Sequence, residues 1–417
     1  MKIRIKRNLV YNVFVTILFV LTVFAPDFKF LPRYTWGLAV GGFICLFDRK
    51  FVRSIEFYSM QNRNYFVILM FSMLCLAVIP FLHGTGDTSY IELLVGIALV
   101  ALRNVLLIYV LYKNGCQSVF EEYCKYLVNA CCVCVIFTLL FIIFPEFKTF
   151  WNYDVLAPAA EQKYYKYQYR YSISGFAAFT YSSIFSVAVI VAAYLLVTPT
   201  NKRNGLIQFI MIVLGCLFYG RVTFFGIVAA LMFILFSKCK IDKLIRILST
   251  LIVSGVGGIL LINYISTIND DFLVWKEWAF AFVKQLFIEG EVTDYSVKSM
   301  FENMYFLPSF ETFILGDGMY TNADGSYYMS TDVGYMRIIL YSGVFGMLIA
   351  FGPMWFLLRK AYKLSFTSSQ KSLFFFILII WFVLEAKGDM YHRILMLVYP
   401  IFLGLLCDNK SRKIHCK

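Results

Sequence analysis

Apolar stretches of about 20 residues recur from one end of this chain to the other, each long enough to cross a bilayer core about 30 Å thick, with short basic clusters between them. No water-soluble core absorbs so many. The chain is 60% hydrophobic and 15% charged, with a mean hydropathy of +0.73, whereas soluble domains carry about 45–50% apolar and about 25% charged residues. A set of soluble domains is therefore excluded, although 417 residues would suffice for two or three of them. The formal net charge of +13 does not mark a nucleic-acid surface, because Lys and Arg fall between apolar segments and not on one polar face.

A window of about 19 residues predicts spans near 8–25, 31–47, 65–82, 90–112, 127–144, 175–197, 206–219, 222–236, 247–264, 334–358, 372–388 and 391–407. The expected fold is an all-α polytopic membrane protein of about 12 transmembrane helices, with a large periplasmic loop between spans 9 and 10. Three regions follow: a bundle of spans 1–9 over residues 1–264 with an outer loop at 145–174, a periplasmic loop at 265–333, and spans 10–12 with a cytoplasmic tail at 334–417. The first segment follows Lys2, Arg4, Lys6 and Arg7 as a signal peptide would, but it lacks a small-residue cleavage site and reads as a retained helix.

Basic residues resist translocation. With the N-terminus inside, the inner segments hold Arg49, Lys50, Arg53, Lys113, Lys125, Lys202, Arg203, Lys238, Lys240, Lys243, Arg246, Arg359, Lys360, Lys363, Lys371 and the basic C-terminal tail, whereas loop 265–333 has three lysines against a larger acidic set. Both termini are expected in the cytoplasm. All 11 cysteines fall in spans or inner segments, so disulfides are not expected. Cys131, Cys132 and Cys134 read as small packing residues, and no Cys/His spacing suggests a metal site.

Two outer loops are long and rich in aromatic residues. In the larger, residues 272–287 read as an amphipathic helix lying on the membrane surface, either as an anchor or as a gate to the substrate. In the smaller, Tyr164, Tyr165, Tyr167, Tyr169 and Tyr171 alternate with Lys166 and Arg170. They suit an interfacial aromatic belt or a surface for stacking sugars beside a diphosphate.

Ionisable residues in or beside spans carry more information, since each costs at least about 2.5–3.5 kcal/mol at mid-bilayer. Arg103 shares a span with Glu92 and is expected to face the bundle interior. Arg221 lies in the tight turn Tyr219-Gly220-Arg221-Val222, and Arg337 lies one turn into the helix after the large loop. A last outer turn reads Glu385-Ala386-Lys387-Gly388-Asp389-Met390-Tyr391-His392-Arg393. Arginines in an outer-leaflet cavity can grip a lipid-linked diphosphate bidentately and stabilise the charge released when a sugar leaves it. An acid or imidazole beside them can take the proton of an acceptor hydroxyl. The candidate catalytic residues are Arg221, Arg337, Asp332 and His392. The candidate substrate-binding residues are Arg103, Arg170, Tyr335, Lys387 and Arg393.

The run Ile314-Leu315-Gly316-Asp317-Gly318-Met319-Tyr320, the segment Thr331-Asp332-Val333-Gly334-Tyr335-Met336-Arg337, and the glycine-punctuated Tyr341-Ser342-Gly343-Val344-Phe345-Gly346 resemble the Wzy O-antigen and capsule polymerases. So do the Gly220-Arg221 turn and the basic turn from Lys387 to Arg393. The resemblance implies a bacterial inner-membrane glycosyltransferase of the GT-C type, which joins repeat units carried on undecaprenyl diphosphate at the periplasmic face without metal or other cofactor. The implied partners are that lipid-linked oligosaccharide and membrane lipids, with a chain-length regulator as a candidate protein partner and no nucleic acid. Related O-antigen ligases work through periplasmic arginines and a loop histidine. The large loop here has neither Arg nor His, so only Arg221 and Arg337 carry over. Glycines 316 and 318 do not make a phosphate loop, which needs a strand and helix in a soluble unit. The alternatives are a flippase for the same lipid-linked units and an O-antigen ligase. Transporters tend to show repeats, broken helices and midplane charge.

Overall fold

The computed structural model describes residues 2–31, 59–114, 116–157, 170–176, 178–198, 205–237, 241–267, 270–284 and 298–415. In chain order its helices are α1 (Lys2–Val23), α2 (Ser59–Leu82), α3 (Ser89–Lys113), α4 (Val119–Ile143), α5 (Pro145–Phe150), α6 (Ala178–Val197), α7 (Gly205–Tyr219), α8 (Thr223–Phe236), α9 (Ile241–Ser266), α10 (Asp270–Lys284), α11 (Phe310–Leu315), α12 (Gly334–Leu364), α13 (Ser368–Glu385) and α14 (Tyr391–His415). Two short strands, β1 (Tyr171–Ser172) and β2 (Gly175–Phe176), pair antiparallel. A helix lies under each predicted span except 31–47, which falls outside the described residues. Among the described residues, seven helices are long and apolar enough to cross a membrane, and three shorter apolar ones accompany them. The chain is an all-α membrane protein.

Exposure explains why a bilayer is needed. The apolar window of α9 is only 6% buried, with Ile252, Val253, Val256, Ile259 and Leu260 open to the outside. Large exposed apolar faces are unfavourable in water and favourable in lipid.

The chain packs as two compact units that interleave in sequence, Met1–Pro32 with Cys124–Lys298, and Arg33–Tyr123 with Ser299–Lys417. Their boundaries differ from a division by span number, because helices associate through faces and not through chain order. The long loop expected at 265–333 is shared out accordingly: α10 belongs to the first unit and residues from Ser299 to the second.

The first unit is built around α6, whose apolar window is 94% buried. Small residues let its neighbours come close, the common device for helices in membranes. A side chain at Gly226 of α8 would meet the Ser186 backbone at 2.8 Å, and one at Gly220 would meet Ser182 Oγ at 2.4 Å. Tyr219 stacks on Tyr181 with ring centroids 4.7 Å apart, and its hydroxyl shares a 2.6 Å hydrogen bond with Thr138. Cys131 and Cys134 sit in this core, which bears out their reading as packing residues.

In the second unit α12 packs against α2, α13 and α14, and α14 against α3. Asp408 of α14 caps the start of α4, its carboxylate accepting from the Val119 N–H at 2.7 Å and the Ser118 hydroxyl at 2.6 Å. Negative charge there complements the positive end of a helix.

α12 is broken at Gly343, where φ is 67° and ψ is −179°. That conformation is essentially restricted to glycine, and any side chain would meet the Ile314 carbonyl at 2.1 Å. The break frees carbonyls that a straight helix would bond. Leu340 accepts instead from the Asp317 N–H at 2.6 Å, and Tyr341 from the Gly318 N–H at 3.1 Å. An unsatisfied backbone group is costly where water is scarce, so Gly316-Asp317-Gly318 and the break stabilise each other.

Candidate functional site

In the second unit, an Asp-Gly turn starts the site. Asp324 and Gly325 favour a tight turn, Gly325 takes φ +80°, and the Asn322 N–H closes the loop on the Ser326 carbonyl at 2.8 Å. Hydrogen bonds from the Ser326 hydroxyl and N–H hold the Asp324 carboxyl below its usual value. Thr321 then pairs with Tyr327 as a β-bridge, which brings Tyr320 and Tyr327 side by side in the fold.

The base of this loop is fastened to the connection between α2 and α3. Asp87 Oδ2 accepts from the N–H groups of Tyr320 at 2.5 Å and Thr321 at 2.9 Å, while Oδ1 accepts from the Ser89 N–H at 2.9 Å. The Thr85 hydroxyl donates to the Gly318 carbonyl at 2.6 Å. Gly318 lies so close to His83 that a side chain would meet its Cβ at 2.7 Å.

Arg337 fills the space so made. Its guanidinium lies 3.7 Å from the Tyr320 ring centre and 4.1 Å from that of Tyr327. One Nη donates to the Tyr320 carbonyl at 3.2 Å, and the other lies 3.7 Å from Asp389 Oδ2. The Tyr320 hydroxyl donates to the same carboxylate oxygen. His392 Nδ1 stands 3.5 Å from Asp389 Oδ1, inside ion-pair range but beyond a good hydrogen bond.

Glu385, fully buried at the end of α13, accepts from the Met390 N–H at 3.2 Å through Oε2. Its Oε1 faces Gly334, where a side chain would meet it at 2.3 Å. Asp332 follows from the same loop. Burial raises its carboxyl pKa, opposed by the charges of Lys387 and, more weakly, Arg337. Tyr305, whose hydroxyl donates to the Ala386 carbonyl at 2.5 Å, is likewise raised, by burial and then by the Asp332 charge.

Four buried polar atoms in this cluster lack a hydrogen-bond partner: Asp332 Oδ1, Arg337 Nε, Glu385 Oε1 and His392 Nδ1. Buried polar groups are nearly always satisfied, and exceptions gather at functional sites. The arrangement can hold an anion against a guanidinium edge and exchange protons with an acid or imidazole next to it.

Of the sequence candidates, Arg337, Asp332, His392 and Lys387 thus come together. Arg393 is within electrostatic reach of Glu385 and His392, and the Tyr335 hydroxyl donates to the Phe382 carbonyl of α13 at 2.9 Å. Arg103 is buried, as expected, on the stretch of α3 where the Asn104 amide donates to the Met396 carbonyl of α14 at 2.8 Å. Tyr327 and Asp87 were not singled out by sequence, and Tyr320 entered only as the end of the run 314–320. Only the Asp-Gly turn signalled the tyrosine pair.

The first unit holds the remaining two candidates. Arg221 follows Gly220 in the α7–α8 turn, which rests on Ser182 of α6. Arg170 precedes β1, and that hairpin is fixed by hydrogen bonds from the Thr138 hydroxyl to the Tyr171 carbonyl at 3.0 Å and from the Ser172 hydroxyl to the Cys134 carbonyl at 2.8 Å. Both guanidiniums meet one indole: Arg170 lies 4.3 Å and Arg221 5.3 Å from the Trp278 ring centre. Trp278 belongs to α10, the expected amphipathic helix, which is seated by Trp275 against Phe218 with rings 5.1 Å apart. Tyrosines 164–169 and residues 285–287 of that predicted helix lie outside the described residues.

No group of three or more His, Cys, Asp or Glu suited to a metal ion occurs among the described residues. Compared with known proteins, the chain matches no family model, and no curated protein matches it in sequence.

Proposed function

We propose that this protein is a polymerase of lipid-linked glycans, joining undecaprenyl-diphosphate-linked repeat units into O-antigen or capsular polysaccharide by glycosyl transfer at the periplasmic face of the bacterial inner membrane. The observation that carries this reading is the Arg337 cluster: a guanidinium set on two tyrosine rings, with a buried, unpartnered Nε–H and unpartnered carboxylate and imidazole atoms around it. Arg337 would bind the diphosphate and stabilise its growing charge as the sugar departs. Asp332 or His392 would accept the proton of the attacking hydroxyl. Arg221 and Arg170, gathered on Trp278, give a second cationic point suited to a diphosphate. The bond energy resides in the sugar diphosphate, so neither nucleotide nor metal is required.

The layout that goes with this reading has about twelve crossings and cytoplasmic termini, with 265–333 outside, because it leaves most basic residues inside. Reporter fusions at Ser296 and Asn322 should behave as periplasmic; cytoplasmic behaviour would overturn the layout. A second reading, a flippase for the same lipid-linked units, is favoured by one feature, the break of α12 at Gly343, since discontinuous helices are common in transporters. An O-antigen ligase would share the chemistry. Deleting the gene distinguishes them: a polymerase defect leaves one repeat unit on the lipid core, whereas a flippase or ligase defect leaves none.

A further inference from the structure

A second feature of the second unit lies at the opposite end of α12 from Arg337. There α12 and α13 diverge from the turn Ser365–Thr367 and leave a cavity of about 210 Å³ between them, open to the outside. Trp355, Leu358 and Tyr362 line it from α12, and Phe374, Phe375 and Leu378 from α13. Trp355 and Phe375 are each about half exposed, at 51% and 52%. Arg359 and Lys363 complete the lining, one helical turn apart on the same face as Trp355. Among the described residues neither cation has a hydrogen-bond or ion-pair partner.

Along these two helices, up to Leu384, the charge is of one sign. Lys371 stands 5.8 Å from the Tyr362 ring centre and Lys360 5.6 Å from that of Phe356, while residues 333–384 contain no Asp or Glu at all. The N-terminal end of α13 adds a positive dipole end beside these cations. Ring walls below and unpaired cations at the rim match one class of ligand, an amphiphile with an anionic head. In a membrane protein that ligand is at hand in the leaflet itself.

We infer that the groove between α12 and α13 is a binding site for an anionic phospholipid, with an acyl chain lying along Trp355, Tyr362 and Phe375 and the phosphate held by Arg359 and Lys363. The site is separate from the Arg337 cluster and does not depend on the polymerase reading. It would tie the α12–α13 pair to the charged leaflet and make the packing of these helices sensitive to lipid composition.

The test uses the full-length protein in nanodiscs of phosphatidylglycerol and phosphatidylcholine in equal parts. Native mass spectrometry on release should find phosphatidylglycerol retained in preference to phosphatidylcholine. The double substitution Arg359→Gln with Lys363→Gln should lower that preference roughly 10- to 30-fold. Lys360→Gln, outside the lining, should change it much less. Tail-brominated phosphatidylglycerol should quench fluorescence more strongly than brominated phosphatidylcholine, and the excess should vanish in Trp355→Phe. Equal retention and equal quenching by the two lipids in the unaltered protein would overturn the inference, and this arm needs no variant. An unchanged preference in the double variant, or a loss in Lys360→Gln as large as in the double variant, would also overturn it, the latter because it denotes diffuse surface charge.

Discussion

Arg337 and Arg221 are held by the same kind of contact and keep different company. Each guanidinium lies against an aromatic ring. Arg337 is buried between two tyrosines, with a carboxylate at 3.7 Å and a carbonyl at 3.2 Å. Arg221 is half-buried and shares the Trp278 indole with a second guanidinium, that of Arg170. In one unit rings and acids together fix a single cation; in the other a single ring gathers two. Aromatic faces favour the weakly hydrated, planar guanidinium over an ammonium, so the ring contact explains the choice of arginine at both places. Asp389 beside its guanidinium makes Arg337 part of the fold as well as of the proposed chemistry.

The largest effect is therefore expected at Arg337. Arg337→Lys keeps the charge but loses the ring contacts and the forked donors, and polymerisation should fall about 1000-fold, the upper end of the roughly 2–4 kcal/mol lost with a charge-stabilising donor. Thermal stability should fall too, because Asp389 keeps an imperfect partner. Chain length and melting temperature measured on the same variant check both. Long polymer at normal abundance would remove Arg337 from the mechanism.

A pair of glycines sharpens the contrast between the units. Gly343→Ala must relax a backbone conformation closed to other residues and displace the Ile314 carbonyl, which should destabilise the second unit by about 1–3 kcal/mol or more. Gly220→Ala meets only the Ser182 hydroxyl, a side chain that can rotate, and should be milder. Equal melting temperatures for the two variants would contradict the role assigned to the break.

Arg221→Lys should impair polymerisation about 30-fold, the lower end of the same range, with little change in stability. Trp278→Leu, which removes the shared ring and leaves both cations, should cost about 0.5–2 kcal/mol of transition-state binding. If Trp278→Leu harmed activity more than Arg221→Lys, the indole would be acting on the substrate and not through the arginines.

The smallest effect concerns pH. Burial raises the Asp332 carboxyl, so its neutral form persists above the ordinary value of about 3.9. A raised folded-state pKa means that the stabilisation is complete at low pH and is lost as pH rises through that pKa. Where Asp332 is the proposed base, it becomes available only over that rise. The acidic limb of the rate profile should therefore lie above the usual carboxylate range and disappear in Asp332→Asn. An acidic limb unmoved by the substitution would assign the proton to another group.

Much of this was legible in the sequence because it is local. Hydropathy located the seven long apolar helices among the described residues, and the acids and bases of segments 332–337 and 385–393 marked both halves of the Arg337 cluster. What escaped was long-range. Nothing adjacent to Tyr327 says that it will lie on Arg337, since that contact depends on Asp87 fastening a loop more than two hundred residues away. Trp278 reads as one more interfacial aromatic until the α7–α8 turn and the β1–β2 hairpin converge on it. Gly343 was visible as punctuation, but a helical glycine is usually a close approach, and only its positive φ reveals a break. Arg103 shows the converse: its burial was expected from the cost of a charge in a span, and it holds.

The central claim is that the Arg337 cluster transfers glycans between lipid diphosphates unaided, and purified protein given lipid-diphosphate-linked repeat units tests it most directly. With EDTA present and no nucleotide, the unaltered protein should lengthen the glycan on its lipid carrier and release free polyprenyl diphosphate, while Arg337→Lys at equal abundance should not. No lengthening by the unaltered protein, or turnover lost in EDTA and restored by magnesium, or equal turnover by both proteins, would contradict it.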